Sequence, residues 1–260
     1  MNDRSSDLKG VRLDSQEDAG RHVVRTRGIS KAFGAIEALV DLDLDIPKGC
    51  VYGIIGPNGS GKTTTIRILN GLLRASSGQA WLLGEAVPVS ESIHRIGYMP
   101  QEMAIYSDLT AVENLELFAG MYSMRRERFE ERADYLLDMI DLKDRGGSLV
   151  SELSGGMKHR LSLACALVHD PELVFLDEPT VGVDPELRNG FWEHFSRLKA
   201  EGKTIVLTTH YMDEAVRCDM VGMMRLGRMI AEDTPEELMA STGALNLEEA
   251  FLQRSRRVEQ

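Results

Sequence analysis

The sequence runs to 260 residues, 43% apolar and 27% charged, enough to bury one substantial core in an ordinary globular composition. A formal net charge of −11 excludes a broadly basic surface, so nucleic acid is not an expected partner. Cys50, Cys165 and Cys218 lie far apart without a CxxC pair, which points to reduced core thiols and away from a disulfide framework.

Residues 1–20 mix acidic, basic and small residues and are expected to be a disordered tail. His22–Arg27 and Val40–Ile46 then alternate with period two, as half-exposed antiparallel strands do. Pro47-Lys48-Gly49 turns the second into an apolar run, Val51-Tyr52-Gly53-Ile54-Ile55. A helix is expected from the residues after this run to about Gly71, and strands over Gly78–Leu83 and Ile93–Met99, the latter closed by Pro100.

From Leu109 to Leu142 the period becomes helical, with one apolar stripe of Val112, Leu115, Leu117, Phe118 and Met121 and another of Phe129, Ala133, Leu136, Leu137 and Ile140. The charged run Arg125-Arg126-Glu127-Arg128 between them reads as a solvated helix start. This block predicts a helical subdomain over about residues 102–165. Alternation of strand and helix resumes with Leu173–Leu176, a helix from Pro185, a strand over Thr204–Leu207 and a short helix from Met212. Short strands at Val221–Met224 and Arg228–Ala231 flank Gly227. Thr234 then caps a helix that has Pro235 at its first position and acids in its first turn. Residues 241–260 are expected to form a C-terminal helix or tail. No apolar run approaches the roughly 18 residues of a membrane span, and the N-terminus lacks the apolar core of a secretory signal. The chain is therefore expected in the cytoplasm, reaching a membrane only through a partner.

The chemistry starts at Gly56-Pro57-Asn58-Gly59-Ser60-Gly61-Lys62-Thr63, set between the apolar run and a helix that opens with Thr64. A buried strand, a glycine-rich loop and a helix in that order make a P-loop. Its backbone N–H groups and helix N-terminus cradle phosphates, its lysine reaches the β- and γ-phosphates, and its Thr63 hydroxyl ligates Mg²⁺. This reads as a P-loop NTPase core binding a nucleoside triphosphate; kinases, GTPases and ATPases all share the loop. Leu173–Leu176 ends in Asp177-Glu178. A strand of this kind delivers Asp177 to the metal at the carboxyl edge of the sheet, and Glu178 to a water as general base. A third segment, Leu153-Ser154-Gly155-Gly156-Met157, precedes an apolar helix, so Ser154 and the N–H groups after it form a second anion receptor or a plain helix cap.

Taken together, these segments resemble the ATP-binding cassette (ABC) family, whose signature Leu-Ser-Gly-Gly-Gln lies between a P-loop and an acidic strand end. The resemblance covers about residues 21–240 and implies a P-loop NTPase α/β core with an antiparallel β subdomain and an inserted helical subdomain. It implies that ATP is held by the P-loop of one copy and by Ser154, Gly155 and Gly156 of a second. It assigns Phe33 to stack on adenine, Gln101 to Mg²⁺ or the attacking water, Asp184 (in Gly182-Val183-Asp184-Pro185) to the D-loop and His210 to the γ-phosphate. On the residues alone Phe33 is more often a core aromatic, Asp184 reads as a helix cap, and a lone strand-end histidine such as His210 is usually unremarkable. Met157 departs from the family's glutamine, while Ser154 and Gly156 are intact. Leu153–Lys158, Thr208–Ala215 and Leu247–Leu252 are similar to the ATPase subunits of type-2 exporters. This implies a transmembrane permease partner, a place on the cytoplasmic face of the cell membrane, and docking through Glu102–Asn114. An importer subunit and a non-transport cassette remain the alternatives.

Overall fold

The period of each apolar pattern decides which of two sheets a strand joins. The computed structural model describes residues 21–183 and 185–258, so the expected tail and Asp184 lie outside the described residues. Strands β1 (His22–Phe33) and β2 (Ile36–Pro47) pair antiparallel from His22 opposite Pro47 to Phe33 opposite Ile36. Both run beyond the alternating segments, because register shifts let the ladder continue where the period breaks. β4 (Ser77–Leu82) pairs with the other edge of β1, and β5 (Glu85–Ala86) completes a four-stranded sheet in the order β2-β1-β4-β5.

The continuous apolar runs build the second sheet. It comprises β3 (Val51–Ile55), β6 (Ile96–Met99), β7 (Leu173–Asp177), β8 (Thr204–Thr209), β9 (Met220–Arg225) and β10 (Arg228–Asp233), in the order β10-β9-β3-β8-β7-β6. All neighbouring pairs are parallel except β9–β10, an antiparallel hairpin. β3, β7 and β8 are buried at every position because both faces are covered. Alternate residues go to opposite cores. Val51, Ile55, Val174, Leu176, Ile205 and Leu207 meet a core shared with the helices, while Tyr52, Ile54, Leu173, Phe175 and Val206 meet the antiparallel sheet.

Helix α1 (Lys62–Leu69) follows β3 and packs between the sheets. The block between β6 and β7 holds α2 (Ala111–Met121), α3 (Arg126–Met139) and α4 (Gly155–Leu167). α2 opens with a full capping box: the Thr110 side chain accepts from the Glu113 N–H, and Glu113 accepts from the Thr110 N–H. After β7 come α5 (Pro185–Ala200), α6 (Met212–Ala215), α7 (Pro235–Ala240) and α8 (Leu247–Val258). The expected cap at Thr234 is present, its hydroxyl accepting from the Glu237 N–H. Among the described residues no helix is long and apolar enough to cross a membrane. All three cysteines are buried and free, as expected of core thiols.

Two expectations need correcting. Ile93–Met99 is not one strand. Residues Ile93–Arg95 form a 3₁₀ turn, and the strand starts only at Ile96, where pairing with Leu173 begins. The Glu85 carboxylate takes the backbone N–H groups of Ser90, Glu91 and Ser92, which winds the chain just before this point. The stripe on α2 is also different. Its buried face is Ala111, Asn114, Leu115 and Ala119, while Leu117 and Met121 are exposed. The α3 stripe of Phe129, Ala133, Leu136, Leu137 and Ile140 is buried throughout.

Candidate functional site

The site sits at the carboxyl edge of the second sheet, where ligands of open α/β sheets bind. β3, β8 and β7 are neighbours there, with Ile54 opposite Thr208 and Thr208 opposite Asp177. The end of β3 therefore delivers the glycine loop, the end of β7 Asp177 and Glu178, and the end of β8 His210, all to one edge. The loop itself has little freedom. A Cβ on Gly56 would stand 2.2 Å from the Met224 carbonyl oxygen. Gly61, at φ +107°, has Leu39 and the Ala38 carbonyl at 2.6 and 2.8 Å from its Cβ position. The Gly227 N–H, from the β9–β10 turn, donates to the Ser60 carbonyl at 3.0 Å and holds the loop from outside.

Glu178 is the centre of the constellation. It is 7% exposed and takes φ 51°, a left-handed conformation costly for a residue with a Cβ and typical of functional strain. Lys62 Nζ lies 3.4 Å from its Oε1, Gln101 Nε2 donates to Oε2 at 3.4 Å, and His210 Nδ1 stands 3.5 Å from the same oxygen. Lys62, 4% exposed, also donates to the Gly56 carbonyl at 2.8 Å and to the Pro57 carbonyl at 3.3 Å. Its ammonium thus lies across the mouth of the loop. The Ser60 hydroxyl is buried and unpartnered, a polar atom in the cradle with nothing of the chain's own to bond.

Asp177 lies one residue before Glu178. Its Oδ1 accepts from the Thr208 hydroxyl at 2.6 Å and from the Thr63 hydroxyl at 3.2 Å. Burial pushes its pKa up, the Glu178 charge adds to that, and the two hydroxyls oppose it. Hard oxygens from one carboxylate and one hydroxyl suit Mg²⁺, which binds few protein ligands and takes the rest from phosphates and water. Among the described residues there is no group of three His, Cys, Asp or Glu side chains able to hold a metal unaided. The donor set fits a cation that arrives with phosphates.

Ser154–Gly156 lies on a different element. Ser154 is the N-cap of α4, its hydroxyl accepting from the Met157 N–H at 3.3 Å. Ser154 and Gly155 are exposed, and nothing lies within 4 Å of a Cβ built on Gly155. Met157 is partly buried against the helical core, so the departure at this position is an apolar packing residue.

Residues 39–181 match the family model described as ABC transporter. The chain belongs to the ABC transporter family. It is an ATP-binding cassette, of the family that hydrolyses ATP. It is 38% identical over 241 residues to the probable multidrug ABC transporter ATP-binding protein YbhF of Escherichia coli, covering 90% of this chain. The chain spans only 42% of that relative's length. It is 39% identical over 232 residues to the Nod factor export ATP-binding protein I of Cupriavidus metallidurans, covering 88% of this chain and 77% of the relative. Among solved structures, an ATP-binding subunit of an ABC transporter superposes with a TM-score of 0.81 at 28% identity, over 90% of this chain and 99% of the other. A dimeric cassette in a post-hydrolysis state, bound to ADP and Pi, gives 0.74 at 27% identity, over 81% and 98%.

In this cassette the structure brings together Lys62, Thr63, Gln101, Asp177, Glu178 and His210, six residues from four separate stretches of sequence. Ser154–Gly156 makes none of the contacts within that group. Phe33, at the end of β1, is 49% exposed with Lys31 Nζ 5.0 Å from its ring centre, so it is no core residue. Sequence reasoning missed Thr208. Its hydroxyl donates to Asp177 and accepts from the Glu178 N–H at 2.9 Å, which ties both acids to β8. A signal existed: Thr208-Thr209 interrupts an apolar buried strand with hydroxyls.

Proposed function

We propose that this cassette is the motor subunit of an exporter, hydrolysing ATP held between two copies of the chain and driving a separate transmembrane permease at the cytoplasmic face of the membrane. The observation that carries the reading is the meeting of Lys62, Gln101 and His210 on one buried carboxylate, Glu178. Such a set can activate a water and offset charge on a transferring phosphoryl group.

Gly56, Pro57, Asn58, Gly59, Ser60, Gly61, Lys62, Thr63 and Thr64 cradle the phosphates, and exposed Phe33 carries the adenine. Lys62 leaves the Gly56 and Pro57 carbonyls for the β- and γ-phosphates. Thr63, Asp177 and Gln101 would hold Mg²⁺, which supplies charge neutralisation on the phosphates. Glu178 takes a proton from water as the water oxygen bonds to the γ-phosphorus and the bond to the bridging oxygen of ADP breaks. His210 and Lys62 offset the charge on the transferring group. Ser154, Gly155 and Gly156 of a second copy complete the site. The exposure of Ser154 and Gly155 and the dimeric ADP-bound relative both support this arrangement. The cassette is taken to span residues 21–240, with a helical subdomain over about 102–165.

Export rather than import is favoured by the names of the relatives, which concern multidrug and Nod factor export. Permease docking is assigned to Glu102–Leu109, where Met103 and Tyr106 are 40% and 52% exposed. Asn114, in the same expected surface, is fully buried. Its side chain accepts from the Tyr106 N–H at 2.8 Å and donates to the Tyr106 and Thr110 carbonyls, so it shapes the loop and does not present it.

The decisive experiment is Ser154→Arg. Monomer nucleotide affinity should stay within about twofold, while sizing chromatography with ATP shows no dimer and turnover falls at least tenfold. Normal ATP-driven dimerisation of this variant would rule out the shared site.

A further inference from the structure

A second buried acid lies on the segment that follows His210. Glu214, on α6, is a carboxylate only 3% exposed and not placed in the hydrolytic chemistry above. Its Oε2 accepts from the Thr209 hydroxyl at 2.9 Å, and that hydroxyl in turn accepts from the Tyr211 N–H at 3.0 Å. The two bonds clamp the backbone on both sides of residue 210. The other oxygen, Oε1, faces Arg188 Nε on α5 at 3.8 Å, and the carboxylate also interacts with the Thr180 side chain, two residues past Glu178. Oε1, Arg188 Nε and Thr180 Oγ1 are all buried without a well-formed hydrogen bond. Arg188 also caps a stack: its guanidinium lies 4.6 Å from the Tyr211 ring centre, and the Tyr211 and His210 rings are 4.2 Å apart.

A buried carboxylate costs free energy unless it is fully paired, and unpaired buried polar atoms are rare enough to call for a reason. Half of Glu214 is committed to the His210 backbone. The other half sits among unsatisfied groups on the segment that follows Glu178 and on the helix after it. We infer that Glu214 is a positioning residue that sets His210 against Glu178, linking the end of β8 to the Thr180 turn and to Arg188. It touches neither nucleotide nor water. The inference rests on the role given to His210 above.

Steady-state ATPase assays on the full chain test it. Glu214→Ala should lower kcat about tenfold with KM for ATP changed less than twofold. Glu214→Gln, which keeps an acceptor for the Thr209 hydroxyl, should recover to within about threefold of the parent. Thr209→Val should reproduce the loss, and the Glu214→Ala/Thr209→Val pair should be no worse than either alone, as coupled neighbours are. In a His210→Ala background, Glu214→Ala should cost less than twofold more. An equal tenfold loss in both backgrounds, or no loss in the parent, would overturn the inference. His210→Ala with full turnover would instead reject the site reading itself. Glu214→Gln and thermal melts keep the test valid if the alanine variant folds poorly.

Discussion

Glu178 shows why neighbouring acids in one strand end have different work. Asp177, held by two hydroxyls, points at the Thr63 side of the loop, while Glu178 turns through φ 51° to face Lys62, Gln101 and His210. The left-handed step keeps at one edge two side chains that a regular strand would send to opposite faces. Glu178→Gln should keep ATP binding, cut turnover by at least about 10²-fold and accumulate an ATP-bound dimer on sizing chromatography. Turnover within threefold of the parent would remove Glu178 from the base role. The same change leaves Lys62 buried beside an uncharged amide, so the nucleotide-free variant should melt at a lower temperature than the parent. A scanning-fluorimetry comparison with and without ATP reads both effects, since a ligand that binds only the folded state raises the melting point.

At the scale of elements, the junction of α4 and β6 carries a pH dependence. His169, just past α4, stacks on Tyr122 at 3.7 Å and donates through Nε2 to the Ile96 carbonyl at 2.9 Å. Its Nδ1 is buried without a partner, so a second ring proton would find no acceptor. Burial pushes the imidazole pKa down to about 4, with the charges of Arg132 and Lys203 adding to the fall and the Ile96 and Asp170 oxygens opposing it. The unfolded chain binds this proton near pH 6.5, so the contribution is fully present above that value and drains away as pH drops toward 4. By pH 5 the loss should reach about 2 kcal/mol. Urea unfolding midpoints at pH 7 and pH 5 check this, and His169→Gln should show the shallower decline. Parallel declines in the two proteins would refute the assignment.

The molecule as a whole places the proposed hydrolytic edge and the proposed docking loop at the two ends of one short connection. β6 ends at Met99, Gln101 reaches Glu178, and the exposed Met103 and Tyr106 follow within a few residues. A partner pressing on that loop would move Gln101 relative to the base. Replacing Met103 and Tyr106 together by Asp should abolish co-purification with the permease from a mild detergent extract, while the isolated cassette keeps its ATPase rate within twofold. Retained co-purification would place docking elsewhere.

The sequence by itself determined the buried strands, the loop and the acids, because these are local: a run of five apolar residues has to be covered on both faces, and glycines at fixed spacing leave one kind of turn. It determined the family too, since Gly56–Thr63, Ser154–Gly156, Asp177-Glu178 and His210 occur in one order in one chain. Tertiary structure decided what no local pattern encodes. The 3₁₀ turn at Ile93–Arg95 follows directly on the three residues whose N–H groups Glu85 captures, and the strand waits for Ile96 to meet Leu173. Packing of α2 into the helical core buries Ala111, Asn114, Leu115 and Ala119 and leaves Leu117 and Met121 outside. The role of Thr208 became visible only when β8 lay beside β7, since it acts by bonding to two acids brought near by strand order. Hydrophobic period is written residue by residue; a hydrogen bond between distant segments is written only in the fold.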